Sequence, residues 1–186
     1  MGIAARRRRG RLLKGLFAGA VGGLAGSIAM TVSQIAWSRA SKVVEKAHDG
    51  QKESAGTQEP RQEKDEDATI KAASKVVSSV GHELRPEQKP KAGSFVHYGF
   101  GTAMGALYGT VMELAPRRFR TVHPAVSGSG FGSALFVGAH EIAVPALGLS
   151  GKPSEEPLSD HLREWALHLA YGISGELVRR SLRSRV

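Results

Sequence analysis

Four stretches of the chain are nearly free of charge, and polar segments separate them. A helix needs about 20 mostly apolar residues to cross the hydrocarbon of a bilayer. Gly15 to Ser38 supplies 24 residues without a formal charge and ends near Trp37, an aromatic suited to the membrane interface. Ala92 to Met112 adds 21 more, interrupted only by His97. Thr121 to Gly151 carries one formal charge, Glu141, and has room for a tilted span with turns. Pro157 to Val178 is the weakest of the four, because Asp160, Arg163, Glu164 and Glu176 lie within it. Those charges sit towards its ends and leave Trp165 to Gly175 clean.

The pattern therefore predicts an all-α membrane protein, a bundle of about four glycine-rich transmembrane helices. Its segments are a basic tail (1–14), spans at 15–38, 92–114, 124–149 and 158–178, a polar insert at 39–91, and a second basic tail at 179–186. The run Arg6–Arg9 with Arg11 resembles the basic region of a secretory signal. The apolar run behind it exceeds the roughly 7–15 residues of a signal core, so the first segment reads as an uncleaved anchor.

Glycine sharpens this picture. Most of the 23 glycines fall inside the four segments, and several recur every fourth residue: Gly15, Gly19 and Gly23; Gly101, Gly105 and Gly109; Gly128 and Gly132. In water each would cost a helix about 1 kcal/mol against alanine. In lipid the unsatisfied backbone costs more, so the helix persists and glycine permits close approach.

Charge sets the orientation. Lys and Arg gather on cytoplasmic loops, and the bases cluster at Arg6–Arg9, Arg11 and Lys14, at Arg117, Arg118 and Arg120, and at Arg179, Arg180, Arg183 and Arg185. Four spans place these clusters on one side, giving N-in and C-in. The net charge of +9 thus points to anionic lipid headgroups as a partner and away from nucleic acid. The insert is different. Residues 48–69 read as a solvated link, followed by an amphipathic helix at about 68–82 that lies on the interface or against the extension of the first span. The pentapeptide Ala40–Val44 recurs at Ala73–Val77, a match read as incidental to a spacer.

Ionisable residues inside spans need partners or a purpose, at about 2.5–3.5 kcal/mol each on insertion scales. His97, Gly101, Gly105, Gly109 and Glu113 form one stripe at i+4 steps, and Glu164, His168, Gly172 and Glu176 form another. An outer layer of His97, His140, Glu141, Glu164 and His168 is the candidate intramembrane cluster: hydrogen-bonded glue first, a proton or ion pathway second, a metal or haem site third. An inner layer sets Glu113 and Glu176 beside Arg117, Arg118, Arg179 and Arg180 as candidate ion pairs. Pro145 is expected to kink the third span. With no cysteine, thiolate sites and disulfides are excluded. No soluble-enzyme motif is present, since His140-Glu141 lacks the second histidine of a zincin. The expected protein is non-enzymatic, needs no cofactor, and is open to homo-oligomerisation through its glycine ridges.

His97, Tyr108, Glu113 and Pro116, then His140, Pro145, Gly148 and Leu149, then Glu164, His168, Glu176, Arg179, Arg180, Leu182 and Arg183 form a longer pattern. In type and spacing it resembles the YagU-like family of small bacterial inner-membrane proteins, over residues 93–185. The resemblance implies a multi-span helical fold in a bacterial plasma membrane and implies no activity.

Overall fold

A computed structural model describes residues 3–49 and 68–185, and every regular element among them is helical. Helix α1 runs from Ile3 to Asp49 without a break, so the basic N-terminal segment is itself helical. Helix α2 (Ala68–Ser79) precedes α3 (Lys89–Leu114), whose first turn holds Pro90 where no backbone donor is needed. The single turn α4 (Arg117–Arg120) leads to α5 (Pro124–Leu135), capped by the His123 side chain, which accepts from the Ala125 N–H. After a π-helical stretch (Phe136–Ala143) and the turn α6 (Val144–Ala146), helix α7 runs from Leu158 to Arg183, taking in much of the C-terminal basic tail. The link read at 48–69 falls mainly on residues 50–67, outside the described residues.

The third segment departs from a simple kinked span. Pro145 has no N–H, and the winding widens ahead of it: the Val144 N–H bonds back to the Ala139 carbonyl, five residues earlier. His140 and Glu141 lie inside this wide turn. Gly148, at φ 64, then closes the segment, with the Leu149 N–H donating to the Val144 carbonyl.

Helix α1 packs on both α3 and α7, and α5 packs on α7. Glycines stand at each of these approaches. A Cβ on Gly19 would overlap the Gly105 carbonyl, and one on Gly23 the Gly101 carbonyl; Gly22 faces the Gly175 carbonyl. On the other side of α7, Gly128 and Gly132 face the backbone of Gly172 and His168. These glycines are used within the chain; Gly99, Gly130 and Gly138 have open space beside them. Aromatic rings join α3 to α5: Tyr108 stacks on Phe131 at 4.1 Å between centroids, and Phe131 leans on Tyr171. The Tyr171 hydroxyl donates to the Gly101 carbonyl at 2.7 Å. Helix α2 packs on α3, with Ile70 and Thr69 over Gly93. Its Lys75 reaches the Leu147 carbonyl at 2.6 Å.

By length and apolar composition one described helix, α1 over Ala5–Val43, is able to cross a membrane. The other three expected spans are less uniformly apolar, for visible reasons. Glycine dilutes α3, the π stretch interrupts the third segment, and α7 opens on Asp160, His161, Arg163 and Glu164.

Candidate functional site

Few large apolar side chains are buried, and charged groups take their place inside. Glu176, on α7, is fully buried, and Glu113 and Arg179 are nearly so. The Glu176 carboxylate accepts from Arg179 Nε at 2.6 Å and Nη2 at 2.8 Å, and from Arg180 Nε at 2.6 Å. The i+3 and i+4 spacing puts both guanidiniums on the carboxylate's own helix face. Arg180 continues to the Ser127 hydroxyl on α5, and the Arg179 guanidinium lies over the Tyr108 ring. The two hydrogen bonds to Glu176 give the buried Arg179 guanidinium its counter-charge. The Tyr108 hydroxyl is buried close to the same carboxylate.

The second inner carboxylate finds partners other than those the spacing suggested. Glu113 is bonded by Arg183, through Nε and Nη2, and lies 3.7 Å from Arg120. Arg117 and Arg118 contact no carboxylate among the described residues; Arg118 instead lies over the Phe119 ring, 5.2 Å from its centroid. The turn α4 explains this exchange. Its four residues carry Arg120 back towards the end of α3, and the uninterrupted α7 brings Arg183 to the same place.

The outer residues come together only in part. Glu141 Oε1 lies 3.1 Å from His140 Nδ1 and 2.9 Å from His161 Nδ1. The other nitrogen of His161, Nε2, is 2.9 Å from the Pro153 carbonyl. A carbonyl can only accept, so Nε2 carries a proton. The 2.9 Å contact at Nδ1 then requires a second proton, held either by the imidazole or by the carboxyl. Glu141 and His161 therefore share one exchangeable proton. From His140 the line continues to His168, whose ring is 6.0 Å away at a steep angle, with Phe136 against both.

Glu164 and His97 stand apart from that line. The Glu164 carboxylate accepts from Arg163 at 2.9 Å, while His168 Nδ1 donates to the Glu164 backbone carbonyl at 2.8 Å. The i, i+4 pair thus meets through backbone rather than through two ligating side chains. His97 keeps its Nε2 buried without a partner and its ring edge against Tyr98. Among the described residues no group of three His, Asp or Glu side chains is placed to hold a metal ion.

His161 is the residue that sequence reasoning passed over. A signal was available: positions 161, 164 and 168 fall at i, i+3 and i+7, one helix face. Tyr171, whose hydroxyl ties α7 to α3, gave no comparable signal.

No curated protein and no solved structure matches the chain. A family model described as "Protein of unknown function (DUF1440)" matches residues 56–177, which includes α2 to α6 and most of α7. That is more than half of the sequence, and the chain belongs to this family.

Proposed function

We propose that the chain is an integral inner-membrane protein of the bacterial type, crossing the bilayer four times through α1, α3, the α5–α6 segment and α7. Its role in this reading is structural or interactive rather than enzymatic. One observation carries it: the polarity of the bundle is turned inside out. Phe17, Val32, Phe95, Leu107, Val126 and Ile142 face outward, while Glu176 and Arg179 lie at the centre. Extensive exposed apolar surface marks a membrane or protein contact, and ionisable groups in spans face the bundle interior. The resemblance to YagU-like proteins supports the location, and the Arg and Lys clusters support the N-in, C-in orientation. Anionic headgroups are the partner of the basic ends. A homo-oligomer would use outward positions such as Gly99 and Gly130, because the glycine ridges are taken up within the chain.

Alkaline carbonate extraction tests this reading together with reporter fusions at both termini. Retention in the membrane pellet, with both reporters cytoplasmic, is expected. Release into the supernatant overturns the reading.

A proton-conducting role is the second reading, and the proton shared by Glu141 and His161 favours it. Proteoliposomes would then show a pH-driven flux lost in Glu141→Gln and His161→Ala. No flux from the unaltered chain excludes it.

A further inference from the structure

The end of the bundle that carries Glu113 holds a basic cleft whose walls include the Glu113 ion pairs and further arginines of α1. Arg8, Arg11 and Leu12 of α1 face Glu113 at the end of α3, with Ala115 and Arg120 just beyond, around a cavity of about 240 Å³. An adjoining cavity shares Arg8 and Arg11 and adds Arg7, Lys14 and Arg183. Glu113 is the one acid on the walls, and Arg183 and Arg120 already engage it. Arg7, Arg8 and Arg11 have no carboxylate partner among the described residues. Helical spacing explains their convergence, because Arg7, Arg11 and Lys14 fall at i, i+4 and i+7, with Arg8 three residues before Arg11. Directly beside these cations the surface turns apolar: Leu13, Leu16, Phe17 and Leu114 are all exposed.

Cations in excess, set in a cleft, select an anion with several oxygens. A phosphate meets that need through charge-assisted bonds from arginine. The apolar surface beside the cleft selects between sources, since a free phosphate has nothing to place there and a lipid has its acyl chains. We propose that this cleft binds the headgroup phosphate of an anionic phospholipid, with the acyl chains lying along Leu16, Phe17 and Leu114. The site rests on the membrane reading above, in which this end of the bundle is the cytoplasmic interface.

Native mass spectrometry of the full chain from a neutral detergent tests the site, with phosphatidylglycerol and phosphatidylcholine offered at equal concentration. Phosphatidylglycerol should be retained preferentially. Each cation near an anionic headgroup contributes about a factor of five, so Arg8→Gln with Arg11→Gln should weaken retention roughly thirtyfold. Arg8→Lys with Arg11→Lys should keep most of it. The pair Arg39→Gln and Lys42→Gln, at the other end of α1, should leave it unchanged. Equal retention of the two lipids, or loss with the Arg39 and Lys42 pair alone, overturns the site. Full displacement by equimolar inorganic phosphate overturns the lipid as its source. A chain released by carbonate overturns the membrane reading itself, whereas a chain that stays in the membrane without lipid preference overturns this site alone.

Discussion

Arg183, in the last turn of α7, donates through two nitrogens to the carboxylate of Glu113, one residue from the end of α3. The bond to Glu113 holds the Arg183 pKa above its ordinary value. Seventy residues separate the two in sequence. Arg183→Gln would leave the nearly buried Glu113 with only the longer Arg120 contact. The expected cost is about 1–3 kcal/mol, read as a lower melting temperature in detergent. Arg117→Gln and Arg118→Gln should fall within about 0.5 kcal/mol of the unaltered chain.

Removal of Glu176 should be more severe, because two guanidiniums depend on it. Glu176→Gln leaves Arg179 buried without its counter-charge, at about 3–5 kcal/mol. Replacing both members, Glu176→Leu with Arg179→Leu, should cost less than Glu176→Gln alone, since the buried guanidinium is then gone and the partly exposed Arg180 keeps its bond to Ser127. Equilibrium unfolding in mixed micelles compares them. A double variant weaker than the single one would argue that the pair itself, rather than its completeness, stabilises the bundle.

Close backbone approach makes a contrasting pair of glycines informative. A Cβ on Gly105 would overlap the Gly19 carbonyl and the Gly23 backbone, and neither can move aside as a side chain would. Gly105→Ala should therefore force α1 from α3, at about 1–3 kcal/mol. Gly99→Ala, on the same helix with open space beside it, should be neutral or slightly stabilising. Thermal unfolding of the two variants side by side reads the difference.

Helix positions in the chain were legible where apolar runs were bounded by charge. The run at 92–114 lies within α3, the run at 158–178 within α7, and the amphipathic segment at 68–82 overlaps α2. Continuations were not legible: Arg6–Arg9 and Arg179–Arg183 looked like tails, yet their backbone hydrogen bonds simply extend α1 and α7. Pairing was legible only when local. Glu176 with Arg179 and Arg180 follows from i+3 and i+4 spacing, whereas Glu113 with Arg183 depends on how two helices end in space. The π turn has no simple sequence signature beyond Pro145, and it sets His140 and Glu141 towards His161 rather than towards Glu164.

His161 bridges Glu141 and the Pro153 carbonyl, so it ties the π stretch to the loop before α7. His161→Ala should release that loop, raising amide exchange over residues 152–158 by about tenfold, for roughly 1.4 kcal/mol of lost local stability. His97→Ala, which removes no hydrogen bond, should leave exchange there unchanged.

In the proposed membrane bundle the outward apolar faces lie in lipid. The chain has no cysteine, so single cysteines can report on it without background. Ile28→Cys, Leu107→Cys, Val137→Cys and Trp165→Cys place one thiol on each of the four segments, and Ser154→Cys places one on an exposed loop. In intact membranes a water-soluble maleimide should label only Ser154→Cys, and the other four should react once the protein is denatured. Equal labelling at all five positions before denaturation would contradict the account.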